Sequence, residues 1–207
     1  MTGAELYARF EDATDAQYTQ YLDDTRASGL MSLVYRNLCK KLLDDAGDGA
    51  EVLRELVHMY VIDDTATPTS NVVSLTTDFA NKVFWIIDLK AKFVKSGKTY
   101  YNECNVYYGK KNSQLEKATM RYPKYETSGD NLKVYPTNET CTELTCDYYM
   151  EPADIDVADN TTDLGFDIML ADQIVREAVI IAASPNRDTV LFQLGQANVE
   201  TNKASTN

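Results

Sequence analysis

Apolar residues recur at helical spacing through the first third of the chain. Residues 3–13 predict a short helix, and residues 16–24 predict a second one. Ser28 is the expected N-cap of a third helix, whose apolar side chains repeat every three or four positions: Leu30, Met31, Val34, Tyr35, Leu38, Cys39, Leu42 and Leu43. The sequence "DDAGDG" ends that pattern, and a further turn at 50–57 leads into the apolar run "HMYVI".

The period then changes to that of β-strands. "VFWIIDLKAKFV" at 83–94 begins as a continuous apolar run and then alternates. Leu89, Ala91 and Phe93 therefore belong to one face, as in a strand that is buried on one side. A turn is predicted at 96–98, and "TYYNECNVYY" is the expected return strand.

More strands follow before the chain becomes helical again. They are predicted near 120–127, at 132–136 after a turn at 128–131, and over "CTELTCDYYMEP", where Pro152 ends the ladder. Asn160 or Thr161 is the expected cap of a helix from about 163 to 184. Its apolar stripe contains Leu164, Ile168, Met169, Leu170, Ala171, Ile174, Val175, Ala178, Ile181 and Ala182. Pro185 interrupts it, and another helix is predicted through about residue 199.

This order of elements predicts an α+β protein. The helical parts at 1–65 and 153–207 each offer an apolar face, and we expect them to pack together as a base. The region at 66–152 is then an inserted antiparallel β-sheet or sandwich of about five strands. The three parts would form one composite domain.

Charge is unevenly distributed along the 207 residues. The net charge is −12, which argues against a general nucleic-acid binder. Residues 1–65, 66–127 and 128–207 carry nets of −7, +5 and −10. The basic middle is either a face that meets an acidic face of another copy, or ordinary solvated surface. If it is such a face, neutralising its lysines should weaken assembly: Lys90, Lys92, Lys95, Lys98, Lys110 and Lys111.

Candidate catalytic chemistry is sparse. His58 is the single histidine and lies between apolar residues, so a structural role is expected rather than a triad or a metal site. No glycine-rich phosphate loop is present. The acidic run at 154–163 lacks the glycine and terminal glutamate of an EF-hand, which favours an acidic loop before a helix. We expect no cofactor, no metal and no enzymatic activity.

The cysteines and the hydropathy narrow the class of protein further. Cys141 and Cys146 are separated by an odd number of positions in one predicted strand, so their side chains should point to opposite faces. Neither a zinc pair nor a disulfide is therefore expected, and with Cys39 and Cys104 they fit reduced structural cysteines. No run of about 18 apolar residues is present, so no membrane segment is expected.

Tyrosine is the one excess in composition. Nine of the 14 tyrosines fall between residues 100 and 149, in or beside the predicted strands. Alternation should expose a good share of them, and tyrosine favours protein interfaces. Ordinary packing and a stacking platform for single-stranded nucleic acid are the alternatives. The candidate interface comprises Tyr107, Tyr108, Arg121, Tyr122, Tyr125, Lys133, Tyr135, Tyr148 and Tyr149, with Lys90, Lys92 and Lys98.

The tyrosine-rich middle also carries a resemblance. "RYPKYETSGDNLKVYPTNETCTELTCDYYMEPADI" and the following "ADQIVREAVIIAASPNRDTVLFQ" resemble ring-forming head-to-tail connector and tail-tube proteins of short-tailed bacteriophages, particularly the crAss-like phages. The layout of helices around an inserted β region is similar too. The matching positions are Pro123, Tyr125, Gly129, Val134, Tyr135, Pro136, Tyr148, Tyr149 and Pro152.

The resemblance implies a mechanical function in the virion. It implies a ring, twelve-fold in this family, that joins portal to tail and lines the DNA conduit. The partners would be other copies of the chain, the portal and other tail proteins, with double-stranded DNA passing without specific binding. Assembly would take place in the cytoplasm of the bacterial host.

Two other classes stay open. One is a monomeric α+β binding module that docks a protein on its tyrosine-rich sheet. The other is an enzyme that uses carboxylates and tyrosines in a cleft. Oligomeric state separates the ring protein from the binding module, and a substrate- or metal-dependent change in stability would identify the enzyme.

Overall fold

The structure, a computed structural model, describes residues 1–14, 22–46, 53–106 and 117–183. The chain divides into two units. The helical unit contains residues 1–45 and 152–207, and the β unit contains residues 46–151. This is the predicted α+β fold. The β unit begins well before the expected boundary at residue 66, because a 3-10 helix and a strand precede that position.

The helical unit contains three α-helices in its described part: α1 (Gly3–Ala13), α2 (Asp24–Ala46) and α3 (Ile168–Ala182). α1 begins with a capping box, in which the Thr2 hydroxyl accepts from the backbone N–H of Glu5 and the Glu5 carboxylate accepts from that of Thr2. α1 packs against α3. Most of the segment predicted as a helix at 16–24, and the helix predicted beyond Pro185, lie outside the described residues.

α2 starts earlier than its sequence pattern indicated. The Asp23 carboxylate accepts from the backbone N–H of Arg26 at 2.8 Å and caps the helix. The predicted cap at Ser28 is therefore wrong. Ser28 lies inside the helix, and its hydroxyl accepts from the backbone N–H of Val157 at 3.1 Å. Ser28 therefore does not mark the start of the helix but binds the backbone of a segment that is distant in sequence.

α3 starts later than predicted. Its N-cap is Asp167, whose carboxylate accepts from the backbone N–H of Met169 at 2.6 Å. Neither Asn160 nor Thr161 caps the helix. Thr161 instead donates from its N–H to the Asp159 carboxylate at 2.7 Å, in a local turn. The segment before α3 is irregular because its polar side chains bind its own backbone.

The β unit has eight described strands in two sheets of four, rather than about five. A 3-10 helix (Arg54–Met59) leads into it. In spatial order, sheet A contains β1 (Tyr60–Ala66), β8 (Cys141–Met150), β3 (Val83–Lys95) and β4 (Lys98–Glu103). Sheet B contains β2 (Val72–Ser74), β7 (Asn131–Tyr135), β6 (Lys124–Ser128) and β5 (Asn105–Val106).

The strands pair antiparallel except for β5 and β6, which are parallel. The core of the β unit is built from both sheets. Leu89, Ala91 and Phe93 of β3 are at most 1% exposed, which confirms the predicted one-sided burial of that strand. Leu132 and Val134 of β7 join them in one apolar cluster.

A tight hairpin connects β3 to β4. Ser96 and Gly97 both have positive φ, at 52° and 74°, as a type I′ turn requires. Lys95 pairs with Lys98 directly across the turn, and the register continues without interruption to Lys90 and Glu103. The predicted turn is confirmed, and the first part of the predicted return strand is β4, at an edge of sheet A. The predicted strand does not continue past Glu103, because the next strand, β5, belongs to sheet B.

Candidate functional site

The candidate site is an open groove of about 410 Å³ in the β unit. Its walls come from β3, β4, β5 and the turn at 119–122: Lys90, Tyr101, Asn102, Glu103, Asn105, Arg121 and Tyr122. β4 is an edge strand of sheet A, and β5 is an edge strand of sheet B. The chain passes from one edge to the other through Cys104. The groove therefore lies where both sheets end.

The turn at 119–122 forms one wall and is well anchored. Thr119 and Tyr122 exchange two backbone hydrogen bonds, of 3.2 and 3.0 Å. The Asn102 side-chain amide donates to the backbone carbonyl of Met120 at 2.9 Å, which ties the turn to β4. Tyr122 is 71% exposed at this turn. The structure thus holds a large aromatic side chain in solvent on a fixed backbone.

Tyr101 supplies the second aromatic side chain of the groove. In β4 it lies opposite Lys92 of the neighbouring strand β3, and its hydroxyl donates a 2.9 Å hydrogen bond to the Thr145 hydroxyl on β8. Its hydroxyl therefore reaches across β3 and fixes the ring over the outer face of sheet A. The side chain is still 49% exposed. A ring held in this way loses little conformational entropy when it meets a partner.

The charges of the groove nearly balance. Lys90 forms a 3.1 Å ion pair with Asp88, and this hydrogen-bonded carboxylate raises the pKa of Lys90. Glu103 adds a negative charge to the lining, and Arg121 adds a positive one. Arg121 has no ion pair among the described residues. The guanidinium is thus a charged donor that could bind an incoming acceptor.

Three of the predicted interface residues meet here: Lys90, Arg121 and Tyr122. Four lining residues are absent from the predicted interface set: Tyr101, Asn102, Glu103 and Asn105. A period-two reading of β4 could have found Tyr101 and Glu103, because Thr99, Tyr101 and Glu103 alternate onto one face. The contribution of Asn102 and Asn105 depends on the nearby turn, and no local pattern signals it.

Two predicted interface tyrosines are not on the surface. Tyr148 and Tyr149 are fully buried, so the expectation that they lie in a contact surface is wrong. The Tyr148 hydroxyl donates to the Asp64 carboxylate at 2.7 Å, and burial together with this bond raises its pKa to about 12. The Tyr149 hydroxyl accepts from the backbone N–H of Leu53 at 2.7 Å. Burial is possible because both hydroxyls have partners.

Two further predicted aromatic residues lie in the β6–β7 hairpin. Tyr125 and Tyr135 are half-buried, and Tyr125 packs against the apolar cluster of the β unit. The Tyr135 hydroxyl donates to Glu126, and the Lys133 ammonium lies 5.3 Å from the Tyr135 ring centroid. These side chains largely contact one another. Tyr107 and Tyr108 lie outside the described residues.

The predicted lysine face is largely paired with carboxylates of the same unit. Lys92 lies 3.2 Å from Glu143, and Lys95 is bonded to Glu139. Lys98 is exposed at the end of the β3–β4 hairpin, while Lys110 and Lys111 lie outside the described residues. Two lysines of the middle segment are thus paired with carboxylates from β8 and the loop before it.

The remaining candidates for catalysis or metal binding are the histidine, the acidic run at 154–163 and the cysteines. His58 is half-buried at the end of the 3-10 helix, and burial lowers its pKa. Asp159 accepts hydrogen bonds from Thr162 and Thr161, which lower its pKa. The described residues contain no cluster of three potential metal ligands. All four cysteines are thiols, and burial raises the pKa of each.

The chain matches no protein-family model and no curated protein. In the described ranges, no helix is both long and apolar enough to cross a membrane.

Proposed function

We propose that this chain is a structural virion protein that forms a ring in the head–tail connector or short tail of a bacteriophage. The ring lines the DNA conduit and joins the portal to the tail. Copies contact one another head to tail, so that one surface of each copy meets a different surface of the next. The fold supports this proposal by offering a helical unit and a β unit with an open, aromatic groove.

The observation that carries the proposal is the turn with Arg121 and Tyr122. Tyrosine and arginine are the side chains that most often dominate interface energetics. Tyr122 is 71% exposed on a turn that two backbone bonds and the Asn102 amide hold in place. A rigid, exposed aromatic residue beside an arginine is suited to insert into a neighbouring subunit.

The acidic composition supports a conduit role. A net charge of −12 disfavours tight binding of phosphates, which would slow the passage of DNA. The proposed partners are further copies of the chain, twelve per ring, together with the portal and other tail proteins. The proposed location is the virion, after assembly in the host cytoplasm.

The test is assembly on a portal. The purified chain is incubated alone and with isolated portal rings of a short-tailed phage, separated on a gradient and imaged by electron microscopy. We expect ring-shaped density stacked on the portal, with one copy number throughout. A chain that never joins a portal or forms a ring would contradict the proposal.

A matched pair of variants locates the contact. The double variant Arg121→Ser, Tyr122→Ser removes the exposed side chains of the turn. Because tyrosine and arginine often dominate interface energetics, we expect at least a tenfold loss of ring formation, which corresponds to about 1.4 kcal/mol. Val57→Ser is the control, because Val57 is 59% exposed on the 3-10 helix, away from the groove lining. Equal loss in both variants would show that the turn has no special role.

A monomeric binding module is the second candidate. The groove volume of about 410 Å³ lies within the range of about 300–1,000 Å³ that ligand pockets occupy. Tyr101 and Tyr122 would then contact a docked peptide or protein. Such a module would remain outside any ring with the portal, so the same gradient experiment separates the two candidates.

A further inference from the structure

Four strands form the edges of the two sheets, and they differ in how well they could pair with another strand. β1 is interrupted by a bulge between Val61 and Asp64, and Asp63 has a φ of 53°. β2 has three residues and β5 has two. β4 has six residues, in unbroken register with β3. Bulges and short lengths are two ways in which proteins protect edges, so β4 is, by its length and unbroken register, the described edge best suited to pairing.

The hairpin geometry identifies the backbone groups that β4 leaves outward. In a two-residue type I′ hairpin, the residues that flank the turn exchange both backbone hydrogen bonds, and the pattern then alternates. Lys98, Tyr100 and Asn102 therefore bond to β3. The 2.7 Å bond from the Cys104 N–H to the Leu89 carbonyl continues that series.

The intervening residues present their backbone N–H and C=O groups to the open side. They are Thr99, Tyr101 and Glu103. Their backbone groups have no hydrogen-bond partner in the ranges that the structure describes. Their side chains lie on the outer face of sheet A, because Tyr101 pairs with Lys92 and Glu103 pairs with Lys90.

We propose that β4 pairs with β4 of a second copy of this chain, antiparallel and about a two-fold axis at Tyr101. A two-fold axis perpendicular to the sheet keeps the outer face of one copy level with the outer face of the other. Outer-face residues then oppose outer-face residues. Centring the axis on Tyr101 places Thr99 opposite Glu103 of the second copy, and Tyr101 opposite its equivalent.

The edge is complementary to itself in this register. Thr99, Tyr101 and Glu103 each donate one backbone hydrogen bond and accept one across the pair. Two tyrosine rings meet at the centre, and cross-strand aromatic pairs are favourable. No two like charges stand directly opposite, since Glu103 faces a threonine. Tyr101, Asn102 and Glu103 also line the groove of about 410 Å³.

This contact goes beyond the proposed ring. A two-fold contact is isologous and cannot by itself close a ring of more than two copies. The dimer can therefore be tested with the purified chain alone, and its failure would leave the assembly on a portal untouched. Conversely, a chain that does not join portals could still pair through β4.

The test compares two substitutions at one residue. Thr99→Pro removes an outward N–H and costs no bond to β3, and proline is tolerated at such edge positions. Thr99→Val keeps that N–H and changes only the side chain. By light scattering over a range of concentrations, we expect the wild type and Thr99→Val to approach twice the 23.3 kDa of one chain. We expect Thr99→Pro to remain at one chain mass.

Amide hydrogen exchange on the wild type gives a readout that does not depend on a variant folding. Raising the protein concentration should slow exchange at Thr99, Tyr101 and Glu103 at least tenfold. Exchange at Tyr100 and Asn102, which bond to β3, should stay slow throughout. A monomer at every concentration, a dimer that Thr99→Pro leaves intact, or exchange at the three outward amides that ignores concentration would each overturn the proposal.

Discussion

In both the helical unit and the β unit, side-chain hydroxyl groups accept hydrogen bonds from backbone N–H groups of distant segments, but the hydroxyls belong to different residue types. In the helical unit, Ser28 and Ser32 on α2 accept the backbone N–H groups of Val157 and Ile155. In the β unit, the Tyr149 hydroxyl does the same for Leu53. Each polar atom anchors an irregular segment whose N–H would otherwise be buried without a partner. The helical unit uses short serine side chains for this purpose, and the β unit uses the longer side chain of Tyr149.

The comparison changes how polar residues in a sequence should be interpreted. Ser28 was predicted to cap a helix, but its hydroxyl accepts a hydrogen bond from the backbone N–H of Val157. Tyr148 and Tyr149 were predicted to lie on a contact surface, but both side chains are buried in the core and their hydroxyls form hydrogen bonds. In each case the residue type is compatible with both roles, and the segment that it binds lies far away in sequence. Local pattern therefore favours the wrong role.

The largest effect is expected from truncating a buried tyrosine. Tyr148→Ala removes a fully buried ring and its bond to Asp64. We expect a loss of about 3–5 kcal/mol in the free energy of unfolding, as for other large aromatic truncations. Urea unfolding followed by the fluorescence of Trp85, the single tryptophan and a residue of β3, measures the β unit.

Tyr122→Ala is the matched control, since the same side chain is 71% exposed there. We expect a change within about 0.5 kcal/mol. Comparable losses in the two variants would contradict the assignment of one tyrosine to the core and the other to the surface.

A second, smaller effect tests the close packing of the helical unit. A Cβ atom on Gly3 would lie 1.9 Å from the backbone carbonyl oxygen of Asp156. Gly3→Ala must therefore push α1 away from that segment, at a cost of about 1–3 kcal/mol. Thermal unfolding followed by circular dichroism measures the loss.

Gly29→Ala is the control within the same unit. Gly29 lies inside α2 with no neighbour within 4 Å of an added Cβ, so the substitution should stabilise the protein by about 0.5–1 kcal/mol. Opposite signs are expected for the two glycines. Two stabilising substitutions would show that α1 does not need the close approach.

The helical unit should also respond to acid through Asp159. Hydrogen bonds from Thr162 and Thr161 lower the pKa of this carboxyl below its unfolded value of about 3.9. Its contribution to stability is therefore present above about pH 4 and is lost as the pH falls through the lowered value. Asp159→Asn retains an acceptor oxygen but does not titrate.

We expect the difference in stability between the wild type and Asp159→Asn to be constant above about pH 5 and to shrink as the pH falls from about 4 towards about 2. Urea unfolding at several pH values, followed by the helical circular dichroism signal, provides the measurement. A difference that is constant with pH would show that ionisation of Asp159 does not contribute.

Much of the architecture could be predicted because it follows from the spacing at which apolar residues recur along the chain. The one-sided burial of Leu89, Ala91 and Phe93 follows from alternation within β3 itself, and the turn at 96–98 from its glycine. The α+β class follows from the order of such segments. The strand β2 was missed, because three residues cannot show a period. The two residues of β5 were predicted as part of the return strand, and the break that separates them from β4 was missed.

The groove could be predicted only in part. Arg121 and Tyr122 stand out locally by residue type, but the position of Tyr101 beside them depends on the pairing of β4 with β3. The charge of a sequence segment is likewise an incomplete guide to the charge of a surface. Lys92 and Lys95 add to a basic segment in sequence. Their carboxylate partners, Glu143 and Glu139, come 51 and 44 residues later and meet them through the fold.

The smallest expected effect comes from that ion-paired face. Lys92 and Glu143 lie 3.2 Å apart, and their side chains are 37% and 41% exposed. A double-mutant cycle with Lys92→Gln and Glu143→Gln should give a coupling of about 0.2–1 kcal/mol, because solvent screens such pairs. Since Glu143 already offsets the charge of Lys92, we also expect Lys92→Gln to leave assembly on the portal within about twofold of the wild type, a change of about 0.4 kcal/mol. If that variant abolished assembly while Glu143→Gln did not, Lys92 would contact an acidic group on another copy, and the prediction that the basic middle segment meets another copy would be supported.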